Sequence, residues 1–338
     1  MKVYTIKDIA AMAGVSVTTV SRVLNHRPDV NSATRKKVEE IIRECHFIGN
    51  TNARGLKQGN EVIGVVIRGR SNPFLSALSE AILGRADSVP DNFVTEYIDE
   101  KADEFQAAVR ITRQNHVKGI IFVGSLIDDR VQAIRGLDIP MVFTTVNAET
   151  ASLPRASSVA VDDRSMGRLV AESLLSLGHR QIAVFGSNPV AGDSLAMRFQ
   201  GFCDAFSEKG LTYDKSLYRE SRFSFDAGYE TARVFFTERP ETTALFAMSD
   251  TVAVGAIRAL RDLGKTVPED VSVVGFDGVD ISRYMIPRLT TVEQPVEEIA
   301  RRSVNLLLDM MEKDAAPRHI LVEAAFRMRE SVAPCRRT

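Results

Sequence analysis

Long apolar runs are missing from this 338-residue chain: none approaches the ~20 residues that a membrane-spanning helix needs. Cysteine is scarce and odd in number. Cys45, Cys203 and Cys335 lie far apart, so neither a disulfide framework nor a CxxC metal site can be built from them, and each reads as a reduced intracellular thiol. The five histidines (His26, His46, His116, His179, His319) have no metal-ligand spacing. GxGxxG, GxxxxGK[ST] and HExxH are all absent, which leaves an enzyme without a phosphate loop or a metal centre. No signal peptide precedes the first amphipathic segment, and no heptad run closes the chain. The expectation is a cytoplasmic protein that is not an enzyme and uses no cofactor and no metal.

Net charge is also nearly absent, at −1, but it is unevenly spread. Residues 1–60 carry ten Lys/Arg against five Asp/Glu, so a small basic head precedes a mildly acidic body. That asymmetry suits a polyanion at the head.

The head has a pattern to match. In TIKDIAAMAGVSVTTVSRVLN (5–25), Ile6, Ile9, Ala10 and Ala13 recur at i, i+3, i+4, i+7, one apolar helix face. Gly14 can supply the positive φ of a tight turn, and Ser16 can cap a second helix by accepting from an orphan backbone N–H. On that second helix Val20, Val23 and Leu24 form one face, while Thr18, Ser21, Arg22 and Asn25 form the other. The spacing predicts a helix-turn-helix with its polar stripe in a major groove. A third helix, capped by Ser32, presents Val38, Ile41, Ile42 and Cys45. Residues 46–61 have linker composition, with Thr51–Leu56 able to become helical on meeting a partner.

From Val62 the rhythm changes. VIGVVIR (62–68) is continuously apolar, as in a strand buried on both faces. Strands at 93–98, 119–124, 141–145, 181–186, 244–248 and 271–276 alternate with helices near 74–88, 102–114, 165–177, 195–209, 226–237 and 251–263. This is βαβ alternation, in two consecutive series, and predicts two α/β lobes with a cleft between them. A long helix at about 296–311 and a late strand within 320–332 finish the pattern.

The head, followed by SATRKKVEEII, resembles the lactose-repressor (LacI/GalR) family of bacterial transcription regulators. NARGLK (52–57), NPF (72–74), VDD (161–163), LGHRQIAVFG (177–186), RFQGF (198–202), SDTVAVGA (249–256), VPEDVSVVGFD (267–277) and PRLTTVEQP (287–295) extend the resemblance over the whole chain in family order. It implies an α/β protein: an all-α helix-turn-helix headpiece at 1–48, a hinge at 49–60, and a two-lobe, periplasmic-binding-protein-like domain with parallel sheets at 61–338.

It also implies a regulator, a repressor, that binds double-stranded operator DNA as a homodimer and takes a small effector, a sugar or related metabolite, between its lobes. By this resemblance Val17, Thr18 and Arg22 meet base edges. Thr5, Ser16, Ser21 and Asn25 meet phosphates, and Leu56, with Ala53 and Arg54, forms the hinge that enters the minor groove. Gly49 departs from the proline common in that hinge. Asn72, Phe74, Thr145, Arg198, Phe223, Asp250, Asp277 and Gln294 align with effector contacts. Thr145 stands where many sugar-binding members have aspartate. The dimer face would draw on the helix starting near Phe74, the segment Thr251–Leu260, and Val252, Ile257, Met285 and Ile286. A solute-binding module without DNA function, and a regulator of the same family answering to a protein corepressor, are the alternatives.

Overall fold

The computed structural model describes residues 6–24, 30–44, 62–69, 72–85, 92–100, 102–187 and 193–336, apart from the side chains of 6–8, 21, 24, 32–33 and 42–44. The chain divides into two compact units, Met1–Gly59 and Asn60–Thr338. Among the described residues no helix is long and apolar enough to cross a membrane.

The first unit holds α1 (Ile6–Ala13), α2 (Val17–Leu24) and α3 (Ser32–Glu44). The expected capping is present: the Thr19 N–H donates to Ser16 Oγ at 3.1 Å. Between α1 and α2, Gly14 takes φ +68°, a conformation that a side chain would strain. Ile9, Ala10, Ala13, Val20, Val23 and Val38 make a small shared core, with Val15, Val30 and Ile41 packed on it.

The second unit contains two sheets of six strands each. The first lobe begins with β1 (Val62–Arg68), α4 (Pro73–Leu83), β2 (Asn92–Ile98), α5 (Glu104–Asn115), β3 (Gly119–Val123), β4 (Met141–Thr144) and β5 (Ala156–Val161). The second lobe takes α6 (Asp163–Ser176), β6 (Ile182–Gly186), α7 (Ser194–Glu208), β7 (Tyr218–Glu220), α8 (Phe225–Glu238), β8 (Ala244–Ala247), α9 (Asp250–Asp262), β9 (Ser272–Asp277), α10 (Ile281–Tyr284) and β10 (Thr290–Glu293). The chain then returns to the first lobe with α11 (Val296–Glu312) and β11 (His319–Val322), and ends in the second with β12 (Ala325–Arg327). The strand orders are β11-β5-β4-β3-β1-β2 and β12-β10-β9-β8-β6-β7. Every described pairing is parallel except β10 with β12.

The single late strand expected in the tail is therefore two strands, one for each sheet. Three further strands, β5, β7 and β10, do not stand out in the apolar pattern. The helix expected to run from Phe74 to Ser88 ends at Leu83, where Gly84 closes it through a bond to the Glu80 carbonyl.

The second lobe has a tight helix pair. At Gly201 a Cβ would lie 1.8 Å from the Arg164 carbonyl oxygen, and at Gly167 it would lie 1.9 Å from that of Arg198. Hydrogen in place of a side chain at both positions lets α6 and α7 touch backbone to backbone. Asp163 and Arg198 stand one turn before those two glycines, so the crossing fixes them side by side.

Candidate functional site

On α2 the sequence stripe and the structure agree as far as the described residues go. Thr18 and Arg22 are exposed, and Val17, though apolar, is 40% exposed, while Val20 and Val23 are buried. Ser16 Oγ is engaged with Thr19 at the turn. Thr5, Asn25, Ala53, Arg54, Leu56 and the side chain of Ser21 lie outside the described residues.

A cavity of about 290 Å³ lies between the two lobes of the second unit. Much of its wall is made of residues at or just after the carboxyl ends of strands, with Phe74 and Leu75 added from α4 and Leu195 and Arg198 from α7. Arg68 ends β1 and Gly69 follows it, Gly124 and Ser125 follow β3, and Thr145 follows β4. In the second lobe Ser187 follows β6, Met248 follows β8, Asp277 ends β9 and Gln294 follows β10. Parallel α/β sheets offer ligands their strand carboxyl ends, and here two sheets offer them to one space.

Of the eight residues expected there, the structure places seven on the wall: Asn72, Phe74, Thr145, Arg198, Phe223, Asp277 and Gln294. The eighth, Asp250, is a correction. It is fully buried behind the wall, where its Oδ2 accepts from the Val279 N–H at 2.9 Å and its Oδ1 accepts from Thr291 Oγ1 at 2.5 Å. Burial, with the neighbouring Asp277 charge, pushes its carboxyl well up. Asp250 braces the loop after β9 instead of facing a ligand.

The floor of the second lobe is a network around Arg198, which is 5% exposed. Its Nε and Nη2 donate to Asp163 Oδ1 at 3.1 and 2.7 Å, and its Nη1 donates to the Met248 carbonyl at 2.7 Å. The guanidinium carbon lies 3.2 Å from the centroid of the Phe276 ring, in cation–π geometry. Burial pushes the Asp163 carboxyl up and the guanidinium draws it back. Gln294 Nε2 donates to Asp277 Oδ1 at 2.9 Å, and its backbone N–H donates to the Asp277 carbonyl at 3.1 Å. Burial raises the Asp277 carboxyl to about 7 against the pull of Arg198.

Two wall residues carry backbone strain. Asp277 has φ +113° and Thr145 has φ +72°, rare for any residue with a side chain and rarer for a β-branched one. Strain of this kind concentrates at ligand sites, where surrounding structure holds it in place.

In the first lobe Asn72 Oδ1 accepts from the Phe74 N–H at 2.9 Å and caps α4, which directs Phe74 inward beside Leu75. Behind this wall Glu104, at the start of α5, is buried, and its Oε1 accepts from the Leu126 N–H at 2.9 Å. Burial pushes its carboxyl up to about 7. Among the described residues two polar contacts cross the cleft. Ser194 Oγ donates to the Thr145 carbonyl, and Arg222 Nε meets Glu100 Oε2 at 3.3 Å.

Sequence reasoning missed Arg68, Glu100, Glu104, Ser194 and Arg222. For Arg68 the signal was available: it is the last residue of the most conspicuous apolar strand in the body. Glu104, Ser194 and Arg222 lie on loops or helix starts with no periodicity to mark them.

Comparison with known proteins adds a second line of evidence. Residues 5–50 match the family model of bacterial regulatory proteins, lacI family, and residues 171–332 match that of a periplasmic binding protein-like domain. The HTH-type transcriptional regulator MalR of Clostridium butyricum is 32% identical over 333 residues, 96% of this chain and 98% of that protein. Among solved structures, the complex of the transcriptional regulator CelR with cellobiose superposes with a TM-score of 0.71 at 28% identity, covering 97% of this chain and 99% of that one. The lac repressor dimer bound to operator and the anti-inducer ONPF gives 0.72 at 29% identity, covering 98% and 100%.

Proposed function

The chain belongs to the lacI family of bacterial regulatory proteins, and from that premise we propose that it is a sequence-specific transcriptional repressor of the cytoplasm, binding a palindromic operator as a homodimer and governed by a small effector, a sugar or related metabolite, held between its two lobes. The observation that carries this is the presence, in one chain, of a helix α2 that exposes Val17, Thr18 and Arg22 and a cavity whose walls belong to both lobes. A ligand touching both lobes has different contacts in each of their relative orientations, and that difference is what shifts a two-state equilibrium. A coupling of ~1–3 kcal/mol changes operator affinity about five- to 150-fold.

On the reading stripe, Arg22 pairs with the O6 and N7 of a guanine, and Val17 with the Thr18 methyl meets a thymine methyl. Ser16 and the hinge around Leu56 fix register and bend the duplex. In the cavity, the wall residues of the Arg198, Asp277 and Gln294 network supply polar anchors, and Phe74 and Phe223 supply apolar faces. The CelR–cellobiose complex and the operator-bound lac repressor dimer support both halves of this reading.

The dimer face expected from the sequence needs revision. Val252 is 0% exposed and Ile257 is also buried, both in the core of their own lobe. Ile286 and Tyr284 are 91% and 78% exposed, and Ile281 of α10 is exposed beside them. Apolar side chains left in water at one place suit a partner subunit.

A mobility-shift assay of the full chain on genomic fragments tests the proposal. Retention of one palindromic site at physiological salt, with a shift altered by a sugar, is the expected result. Uniform weak binding to all fragments at every salt concentration would overturn it.

A further inference from the structure

Among the described residues three arginines reach the cavity, and two are answered by carboxylates. Asp163 holds Arg198 at 2.7 Å, and Glu100 meets Arg222 at 3.3 Å across the cleft. Arg68 is different. At the carboxyl end of β1, its Nε and Nη2 both donate to one neutral acceptor, the backbone carbonyl of Glu100. No carboxylate among the described residues lies within ion-pair distance of it. Glu104 and Asp128 are the acids whose charges it feels from farther off: burial raises the Glu104 carboxyl to about 7, and the Asp128 carboxylate is already held by Arg130 at 2.7 Å.

A guanidinium has five N–H donors, and only two of those on Arg68 are used among the described residues. The side chain is half-buried on a wall that also includes Leu75 and Leu126, which cannot answer a charge. A cation removed from water without a counter-charge is unfavourable, and an anion placed against it recovers that loss through two parallel charge-assisted hydrogen bonds. A neutral ligand would strip water from Arg68 and give nothing back, so the same side chain acts against neutral competitors.

We propose that Arg68 is a specificity-determining residue of the cavity, and that the effector carries a carboxylate or phosphate group that docks on it at the carboxyl end of β1. The rest of the molecule lies on the polar network of Arg198, Asp277 and Gln294. This rests on the cavity being the effector site. The shared chemistry is a planar or tetrahedral oxyanion on a hydroxylated body, as in a sugar acid or a sugar phosphate.

Matched probes test it on the full chain. Thermal shifts are measured with glucose, glucuronate, glucose 6-phosphate and inorganic phosphate at equal ionic strength, for wild type, R68Q, R68K and R22A. An anionic probe is expected to stabilise wild type beyond glucose, with about tenfold weaker apparent binding in R68Q. R68K, which keeps the charge, retains part of the preference, and R22A retains all of it, which excludes phosphate bound at the head. The arm that responds tells sugar acid from phosphate. Equal responses of wild type and R68Q to every anion, including none, overturn the proposal. If glucose alone stabilises both, the cleft still holds the effector and the oxyanion subsite is lost. If no compound stabilises either and none changes operator binding, both readings fall together.

Discussion

Asp277 lines the cavity from the second lobe and Glu104 lies buried behind its wall in the first, and burial raises both carboxyls to about 7. A folded-state value above the unfolded one means that the native protein holds the proton longer. Each group therefore lowers stability as pH rises from about 4 to about 7, and adds no further loss above that. Glu104→Gln keeps the acceptor for the Leu126 N–H but cannot ionise. Denaturant unfolding is expected to show the variant gaining on wild type between pH 5 and pH 8, by up to ~3 kcal/mol. Parallel curves for the two proteins would show that Glu104 is ionised at ordinary cost. On the head, Arg22→Ala should weaken operator binding by about 1–3 kcal/mol and relax the preference at one base pair. An unchanged affinity in a fluorescence titration would mean that α2 docks differently. Residues were unevenly legible in the sequence. Arg198 and Asp277 stand in motifs, RFQGF and VSVVGFD, that carry their own signal. Asp250 stands in an equally clear motif, SDTVAVGA, and yet points away from the cavity, because a helix-start carboxylate has backbone N–H groups to serve as well as ligands.

At the scale of elements, the apolar runs β1, β3, β4, β6, β8 and β9 were plain, since strands buried on both faces leave little room for polar side chains. β5 and β10 were hidden for a physical reason. Their buried hydroxyls look like loop residues until their partners are known: Ser157 accepts from the Arg318 N–H at 3.0 Å, Ser158 meets His319 Nδ1 at 2.8 Å, and Thr290 accepts from the Arg329 N–H at 2.8 Å. All three partners arrive from the far end of the chain, beyond the reach of any local pattern. The α6–α7 crossing was likewise invisible, because the need for glycine at 167 and 201 comes from a backbone that lies more than 30 residues away. Gly201→Ala drives a methyl into the Arg164 carbonyl and should cost at least ~2 kcal/mol, whereas Gly136→Ala, where nothing lies within 4 Å, should stay within about 0.5 kcal/mol of wild type. Chemical denaturation of both compares them directly, and equal midpoints would show that the helices slide apart freely.

For the whole molecule, the two-lobe plan followed from the repeated βαβ rhythm. The division of the tail between two sheets did not, because a strand of four residues and one of three carry too little pattern to show which sheet they join. Assembly is also a property at this scale. Ile286→Asp removes an apolar side chain that touches little of its own subunit, so the fold should keep its melting temperature. Sedimentation velocity should then show a shift from dimer to monomer, with operator affinity falling in step. A variant that remains dimeric would place the two-fold axis elsewhere.

The triple passage of the chain between lobes has a consequence for synthesis. When a ribosome has released residue 295, the second lobe has all its strands but β12, while the first lacks both α11 and β11. Leu307 and Met311, which will close against Gly119, do not yet exist. The nascent first lobe thus waits with one sheet face open while the second, translated later, nears completion first. A stop codon after residue 295 would leave that greasy face in water for the life of the fragment, and protease or chaperone capture, not partial repressor function, is its expected fate.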